Sequence, residues 1–171
     1  MDYEYYEKYV NKNTVGRYDL TPVFSDGVVF SNLIDDLTNM FSDKEFDAVV
    51  GLDALGFVIS SGVALKSGKG LVLVRKGGKL PGVKGSVISK GFVDYTKKEK
   101  VFEMNKGSIK KEQKVLVVDE WIETGSQVRT AISLIEEQGG VVVGVLSIGG
   151  EKTDKTKDLF EKYDIRCLKT F

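Results

Sequence analysis

The chain has 171 residues, 42% of them hydrophobic and 29% charged, with two prolines and nineteen glycines. This composition belongs to a folded globular chain with a sizeable core and excludes the disordered and fibrous classes. No apolar run approaches the roughly 18 residues of a membrane span, and Met1-Asp2-Tyr3-Glu4 opens no basic-then-apolar leader, so a cytoplasmic protein is expected. The single cysteine, Cys167, cannot build a disulfide framework or a thiolate zinc cluster, and the absence of histidine removes Ser-His-Asp and Cys-His catalysis. Acid–base chemistry is left to Asp, Glu, Lys or Tyr. The 25 Lys and Arg balance the 25 Asp and Glu, which gives the whole chain no long-range attraction for nucleic acid. From Arg75 to Lys114, however, twelve basic residues face four acidic ones, a segment suited either to an anion or to a solvated lysine-rich loop.

Residues 1–20, aromatic and charged without clean periodicity, read as a short helix followed by irregular chain. Leu33, Leu37, Met40 and Phe41 are spaced as on a helix over Ser31–Phe41, with Ser31 as its N-cap. Four nearly continuous β-branched runs, Phe46–Asp53, Gly70–Arg75, Lys114–Asp119 and Val141–Leu146, are expected strands covered on both faces. Helical stretches near Phe57–Lys66 and Ser126–Gln138 lie between them, and Lys155–Tyr163 and Ile165–Thr170 suggest a last helix and strand. The alternation indicates an α/β domain with an open parallel sheet flanked by helices. Val87–Asp94 and Lys100–Met104 read as a hairpin projecting from that sheet, and residues 1–171 read as one domain without repeats.

Open parallel sheets bind ligands beyond the carboxyl ends of their strands. Here those ends are Asp53-Ala54-Leu55-Gly56, Arg75-Lys76-Gly77-Gly78-Lys79 and Asp119-Glu120-Trp121-Ile122-Glu123-Thr124-Gly125-Ser126-Gln127. The last combines a buried strand, an acid pair and a Thr-Gly-Ser turn opening a helix. Such a turn offers backbone N–H groups, hydroxyls and a helix dipole to a phosphate, and carboxylates just before it can accept hydrogen bonds from sugar hydroxyls. The pattern describes a cradle for a ribose 5-phosphate; a plain capped helix after a strand is the bland alternative.

The Val115–Gln127 segment resembles the phosphoribosyl-diphosphate motif of type I phosphoribosyltransferases. Gly51-Leu52-Asp53-Ala54-Leu55-Gly56-Phe57, Arg75-Lys76-Gly77-Gly78-Lys79-Leu80-Pro81-Gly82 and Gly27-Val28-Val29-Phe30 resemble, in matching order, segments of the adenine-specific branch. The resemblance implies a Rossmann-like phosphoribosyltransferase fold, with an N-terminal hood over about residues 1–32 and a flexible loop over about 83–105. It also implies transfer of a 5-phosphoribosyl group from phosphoribosyl diphosphate to a purine, with magnesium as cofactor, a homodimer, and no nucleic-acid or membrane partner. By the same resemblance Asp119 and Glu120 hold the ribose hydroxyls and Glu123, Thr124, Gly125, Ser126 and Gln127 wrap the 5-phosphate. Asp53, Ala54, Leu55, Arg75, Lys76 and Lys79 take the diphosphate, Val29, Phe30 and Tyr95 contact the base, and Asp94 acts on it. No residue is assigned as a direct metal ligand. Fixed cations at the diphosphate suit a reaction in which negative charge builds on the leaving group, and a closing loop keeps water from the activated sugar.

Several residues depart from that family pattern. Leu55 stands where an Arg is common, Glu123 where a small residue is, Ser126 and Gln127 where Gly and Thr are, Ser31 where an Arg follows the purine-contacting Phe, and Glu151 near an apolar position of the base pocket. A carboxylate beside a dianion is unfavourable unless it points away or is paired, and Ser126 adds a Cβ at a position where the family's Gly is free to take a positive φ. Adenine is the expected base. Hypoxanthine, guanine or xanthine is the alternative within the same reaction, and a non-catalytic sensor of phosphoribosyl diphosphate is the alternative outside it. Trp121 fits packing or ligand stacking, the N-terminal tyrosines fit a dimer contact or a docked helix, and Cys167 fits a small buried hydrophobe.

Overall fold

The computed structural model describes residues 1–15, 18–81, 85–93 and 98–171. In chain order the elements are α1 (Tyr3–Glu7), α2 (Thr21–Ser25), α3 (Gly27–Asn39), β1 (Ala48–Leu52), α4 (Leu55–Ser67), β2 (Gly70–Lys76), β3 (Val87–Val93), β4 (Glu99–Asn105), β5 (Lys114–Ile122), α5 (Ser126–Glu137), β6 (Val141–Gly150), α6 (Lys157–Lys162) and β7 (Ile165–Thr170). The strands form one seven-stranded sheet in the order β3-β4-β2-β1-β5-β6-β7.

The four apolar runs become adjacent parallel strands, β2-β1-β5-β6, and β7 adds a fifth. All five residues of β1 are buried, as its unbroken Ala-Val-Val-Gly-Leu sequence requires of a central strand with both faces covered. Alternate side chains separate into two cores. Val49, Leu116, Val118, Leu146 and Ile148 face α3, α4 and the N-terminal segment. Val50, Val115, Val117 and Val145 face α5. Fully buried residues such as Leu33, Leu37, Leu116 and Leu134 each contribute about 1.5–3 kcal/mol relative to exposure.

Three local expectations change: the start of α3, the pairing of the hairpin, and the strand expected to end at Asp119, which runs on to Ile122 because Trp121 and Ile122 still pair with β6 and so carries the acid pair inside it. The helix expected from Ser31 begins at Gly27, because the Asp26 carboxylate accepts hydrogen bonds from Val28 and Val29 N–H at 2.9 and 3.0 Å and caps it one turn earlier. The short α2, led by Pro22, was not legible as periodicity over five residues. The hairpin does not simply project from the sheet: β4 pairs antiparallel with β2 through Arg75↔Glu103 and Lys76↔Phe102 and makes the sheet mixed. Phe102 and Met104 are fully buried in the α5-side core, with Phe102 against Phe92 at 4.7 Å between ring centroids, and this burial draws the hairpin onto the sheet edge. The N-terminal tyrosines resolve toward docking for Tyr3 and Tyr6, both buried, with the Tyr6 hydroxyl donating to Asp36. Burial together with that hydrogen bond pushes the Tyr6 phenol well up. Among the described residues no helix is long and apolar enough to cross a membrane.

Candidate active site

Register brings the chemistry together. Leu52 is level with Val74 and Gly51 with Val118, so Asp53, which follows β1, stands beside Arg75 in β2 and Asp119 in β5, while β5 itself runs on to Ile122. There a cavity of about 310 Å³ is lined by Leu55, the whole run from Asp119 to Val128, Glu151, Tyr18 and Leu20.

One end of the cavity is the turn between β5 and α5. Gly125 caps the helix with φ of 72°, a left-handed conformation disfavoured for residues with a Cβ, and its missing side chain would lie 3.2 Å from Leu159 Cδ2. The positive φ therefore falls on Gly125, while Ser126 is already helical, which removes the conflict expected from a Cβ at Ser126. Thr124 and Ser126 hydroxyls lie 2.9 Å apart, beside the first-turn N–H groups that an α-helix leaves without intrahelical acceptors. Glu123 is exposed at the rim of the cavity, an arrangement in which water screens its charge from an anion in the turn. Behind the turn, Arg129 donates to both Asp158 carboxylate oxygens at 2.6 and 2.7 Å and to Lys155 O at 2.6 Å, tying α5 to α6. Nothing in the local sequence signals that pairing, since 29 residues separate Arg129 from Asp158.

Within β5, three residues before its end, Asp119 is only 2% exposed, and one of its oxygens accepts the Glu120 N–H at 2.9 Å. Helix α4 begins close against it. A Cβ on Gly56 would stand 3.0 Å from Asp119 Oδ1 and 3.2 Å from Val118 O, so a larger residue there would push the helix off the acid.

A second corner lies across the β1 and β2 ends. Asp53, 6% exposed, has Arg75 Nε at 3.8 Å and Lys76 Nζ at 3.7 Å. Arg75 also donates from Nη1 to Lys79 O at 2.9 Å, which closes the Arg75–Lys79 turn. Arg75, Lys76 and the exposed Lys79 outnumber the two carboxylates of the corner, Asp53 and Glu103, so it is net positive. Arg75 Nε is buried without a hydrogen-bond partner among the described residues. Ala54 is exposed and Leu55 reaches the cavity from the first turn of α4.

The base-contacting expectations are placed differently. Val29 is 2% exposed in the core, one helical period before Leu33, and Phe30 packs edge-on against Phe24 at 5.5 Å; neither lines the cavity. Tyr18, Leu20 and Trp121 supply its apolar wall instead, and sequence reading missed the first two because residues 1–20 carry no periodic signal. Trp121 packs on Tyr18, Phe171 and Gly149, the packing expected of it, and it also lines the cavity. Asp94 and Tyr95 lie outside the described residues. Cys167 sits on β7 with its sulfur 3.2 Å from Ser147 Oγ, and burial pushes its thiol up.

Comparison with known proteins agrees with this fold. A family model described as phosphoribosyl transferase domain matches residues 30–170. A relative named adenine phosphoribosyltransferase from Clostridium botulinum is 40% identical over 158 residues, covering 92% of this chain and 89% of that protein. One of the same name from Caldicellulosiruptor saccharolyticus is 35% identical, covering 94% and 89%. The crystal structure of adenine phosphoribosyltransferase from Thermoanaerobacter pseudethanolicus superimposes with a TM-score of 0.88 at 27% identity over 99% of both chains. The Saccharomyces cerevisiae enzyme, solved with an imino-altritol bisphosphate and adenine, superimposes with 0.80 at 26% identity over 98% of both. The family model spans most of the chain and both relatives exceed 30% identity over more than nine-tenths of it, so the chain belongs to the phosphoribosyltransferase family.

Proposed function

We propose that this protein transfers the 5-phosphoribosyl group from phosphoribosyl diphosphate to adenine, giving AMP and diphosphate. The observation that carries this reading is the convergence, at one sheet edge, of the Asp119-Glu120 pair, the Thr124–Gln127 turn and the Asp53–Arg75–Lys76 corner. The names of its relatives point to adenine.

In this reading the Thr124–Gln127 turn binds the 5-phosphate through backbone N–H groups and hydroxyls. Asp119 and Glu120 accept hydrogen bonds from the ribose hydroxyls and face the positive charge that develops on the ribose as the C1–oxygen bond lengthens. Arg75, Lys76 and Lys79 take the diphosphate and stabilise its departing charge. A base nitrogen then forms the new bond to C1 and gives up its proton, the step assigned to Asp94. The wall of Leu20 and Trp121 presents apolar surface to the base and excludes water.

The acids present suit magnesium, which takes hard oxygen donors, keeps several waters and uses one or two carboxylates with substrate phosphates. Asp119 and Glu120 are the residues that would hold it, through water or substrate hydroxyls. When bound, it supplies charge neutralisation at the diphosphate. The reading includes one domain over 1–171, a hood over about 1–32, a closing loop in the expected span of about 83–105, whose end at Phe102–Met104 stays anchored on the sheet, and a cytoplasmic setting without nucleic-acid or membrane partners. It also includes a homodimer, for which the exposed apolar residues Val58 and Leu65 of α4 and Leu71 and Leu73 of β2 are available as contacts.

The test is diphosphate release from magnesium phosphoribosyl diphosphate with adenine, hypoxanthine, guanine or xanthine, beside a no-base control and calorimetric binding. Release with adenine supports the reading. Release only with an oxopurine replaces the base, and binding without release makes the protein a sensor. Asp94→Asn is expected to lower turnover far more than affinity for phosphoribosyl diphosphate; unchanged turnover removes Asp94 from its role.

A further inference from the structure

The cationic turn after β2 would be poorly defined by its own sequence. Gly77-Gly78 is the most permissive pair a chain can place between two cations, and Gly78 has a φ of 76°. Something outside the turn must fix it if Arg75 and Lys79 are to present charge at a constant position.

Glu103 of β4 does this. It stands opposite Arg75 in the two-residue junction that joins the hairpin to the sheet. Its Oε2 accepts the Gly78 N–H at 2.9 Å, and the position of a Cβ on Gly77 lies 3.6 Å from its Oε1, so the carboxylate brackets both glycines. The neighbouring Gly77 N–H donates to Val101 O at 2.8 Å, and Arg75 Nη1 donates to Lys79 O at 2.9 Å. The links form a chain: β4 holds Glu103, Glu103 holds Gly78, and the turn returns Lys79 O to the Arg75 guanidinium. On either side of Glu103, Phe102 and Met104 are fully buried, which anchors the strand that carries it.

We propose that Glu103 is a positioning residue for phosphoribosyl diphosphate binding: through the Gly78 N–H it fixes the turn whose cations receive the diphosphate. Its contribution lies in the hydrogen bond rather than in its charge, because a negative charge beside a diphosphate site gains nothing from the ligand. This assignment rests on the function proposed above.

The experiment compares Glu103→Gln, Glu103→Ala and the wild type in steady-state kinetics against each substrate, with calorimetric binding of magnesium phosphoribosyl diphosphate and thermal unfolding. Glutamine keeps an acceptor for the Gly78 N–H. The expected result is a rise of about tenfold in KM and Kd for phosphoribosyl diphosphate in Glu103→Ala, with KM for adenine unchanged and binding restored to within about threefold in Glu103→Gln. If the alanine variant does not fold, Glu103→Leu, which fills the same space without an acceptor, replaces it. The inference is overturned if alanine or leucine leaves phosphoribosyl diphosphate binding unchanged, if both substrates are weakened equally, or if glutamine is as defective as alanine. A wild type that releases no diphosphate with adenine refutes the functional reading instead, and the binding arm still decides the role of Glu103.

Discussion

The two ends of the site are built in opposite ways. The proposed phosphate turn between β5 and α5 is a matter of backbone shape: a left-handed glycine packed against Leu159, two neighbouring hydroxyls and the start of a helix. The corner at Asp53, Arg75 and Lys76 is a matter of charge, with the ion-pair distances of 3.7 and 3.8 Å longer than direct hydrogen bonds and a glycine pair secured from another strand. A backbone cradle loses function when its shape is disturbed and responds little to ionic strength. A charged corner tolerates small shifts but is screened by salt.

Asp119 lies between the two and is expected to give the largest effect. Asp119→Asn keeps the shape of a carboxylate that is 2% exposed but loses the charge that, in the proposed reaction, faces the developing cation. A fall of about 10²–10³-fold in kcat/KM is expected, together with weaker phosphoribosyl diphosphate binding. A loss below about threefold would remove Asp119 from ribose recognition.

Gly125→Val tests the backbone end. A Cβ at a φ of 72° and 3.2 Å from Leu159 forces the turn to move, so folding is expected to lose about 1–3 kcal/mol and KM for phosphoribosyl diphosphate to rise by more than tenfold. Denaturant unfolding and kinetics at low and high salt measure both. A binding defect that changes markedly with salt would contradict the backbone character of this end.

Arg75→Gln tests the charged corner and should cost less, about tenfold in KM for phosphoribosyl diphosphate at low salt. The wild-type KM should rise with ionic strength while that of the variant rises less, so the two approach each other at high salt. Parallel salt curves would mean that Arg75 acts through the turn it closes with Lys79 O rather than through its charge.

The contrast also explains what the sequence could reveal. Central strands announce themselves because burial on both faces leaves only apolar residues, and the turn at Thr124-Gly125-Ser126 is local enough to be read whole. Both are properties of contiguous residues. The pairing of β4 with β2 is not, because Glu103 is 28 residues from Arg75 and an isolated hairpin pattern does not state which edge it joins. Asp26 and Ser31 are both acceptable caps, and the apolar position Val29, one helical period before Leu33, decided for the earlier one. The cavity wall from Tyr18 and Leu20 comes from an irregular segment with no periodicity to read. Identical logic hid Arg129 and Asp158, surface residues whose meeting depends on how α6 folds back.

That ion pair gives the smallest expected effect and the finest test of how the phosphate turn is held. Hydrogen bonds from Arg129 keep the Asp158 carboxyl below its ordinary range. A depressed folded value means that the stabilisation is complete above the unfolded value near 3.9 and is lost as pH falls through the lower folded one. Both side chains are substantially exposed, so the pair is worth little in itself. Asp158→Asn is therefore expected to change KM for phosphoribosyl diphosphate by about twofold or less at neutral pH, and the small gap in unfolding temperature between variant and wild type should be constant above about pH 4 and close as pH falls further. If the gap persists undiminished to the lowest pH at which both proteins fold, the carboxylate charge is not what joins α6 to α5, and the packing of Leu159 against Gly125 holds the turn by itself.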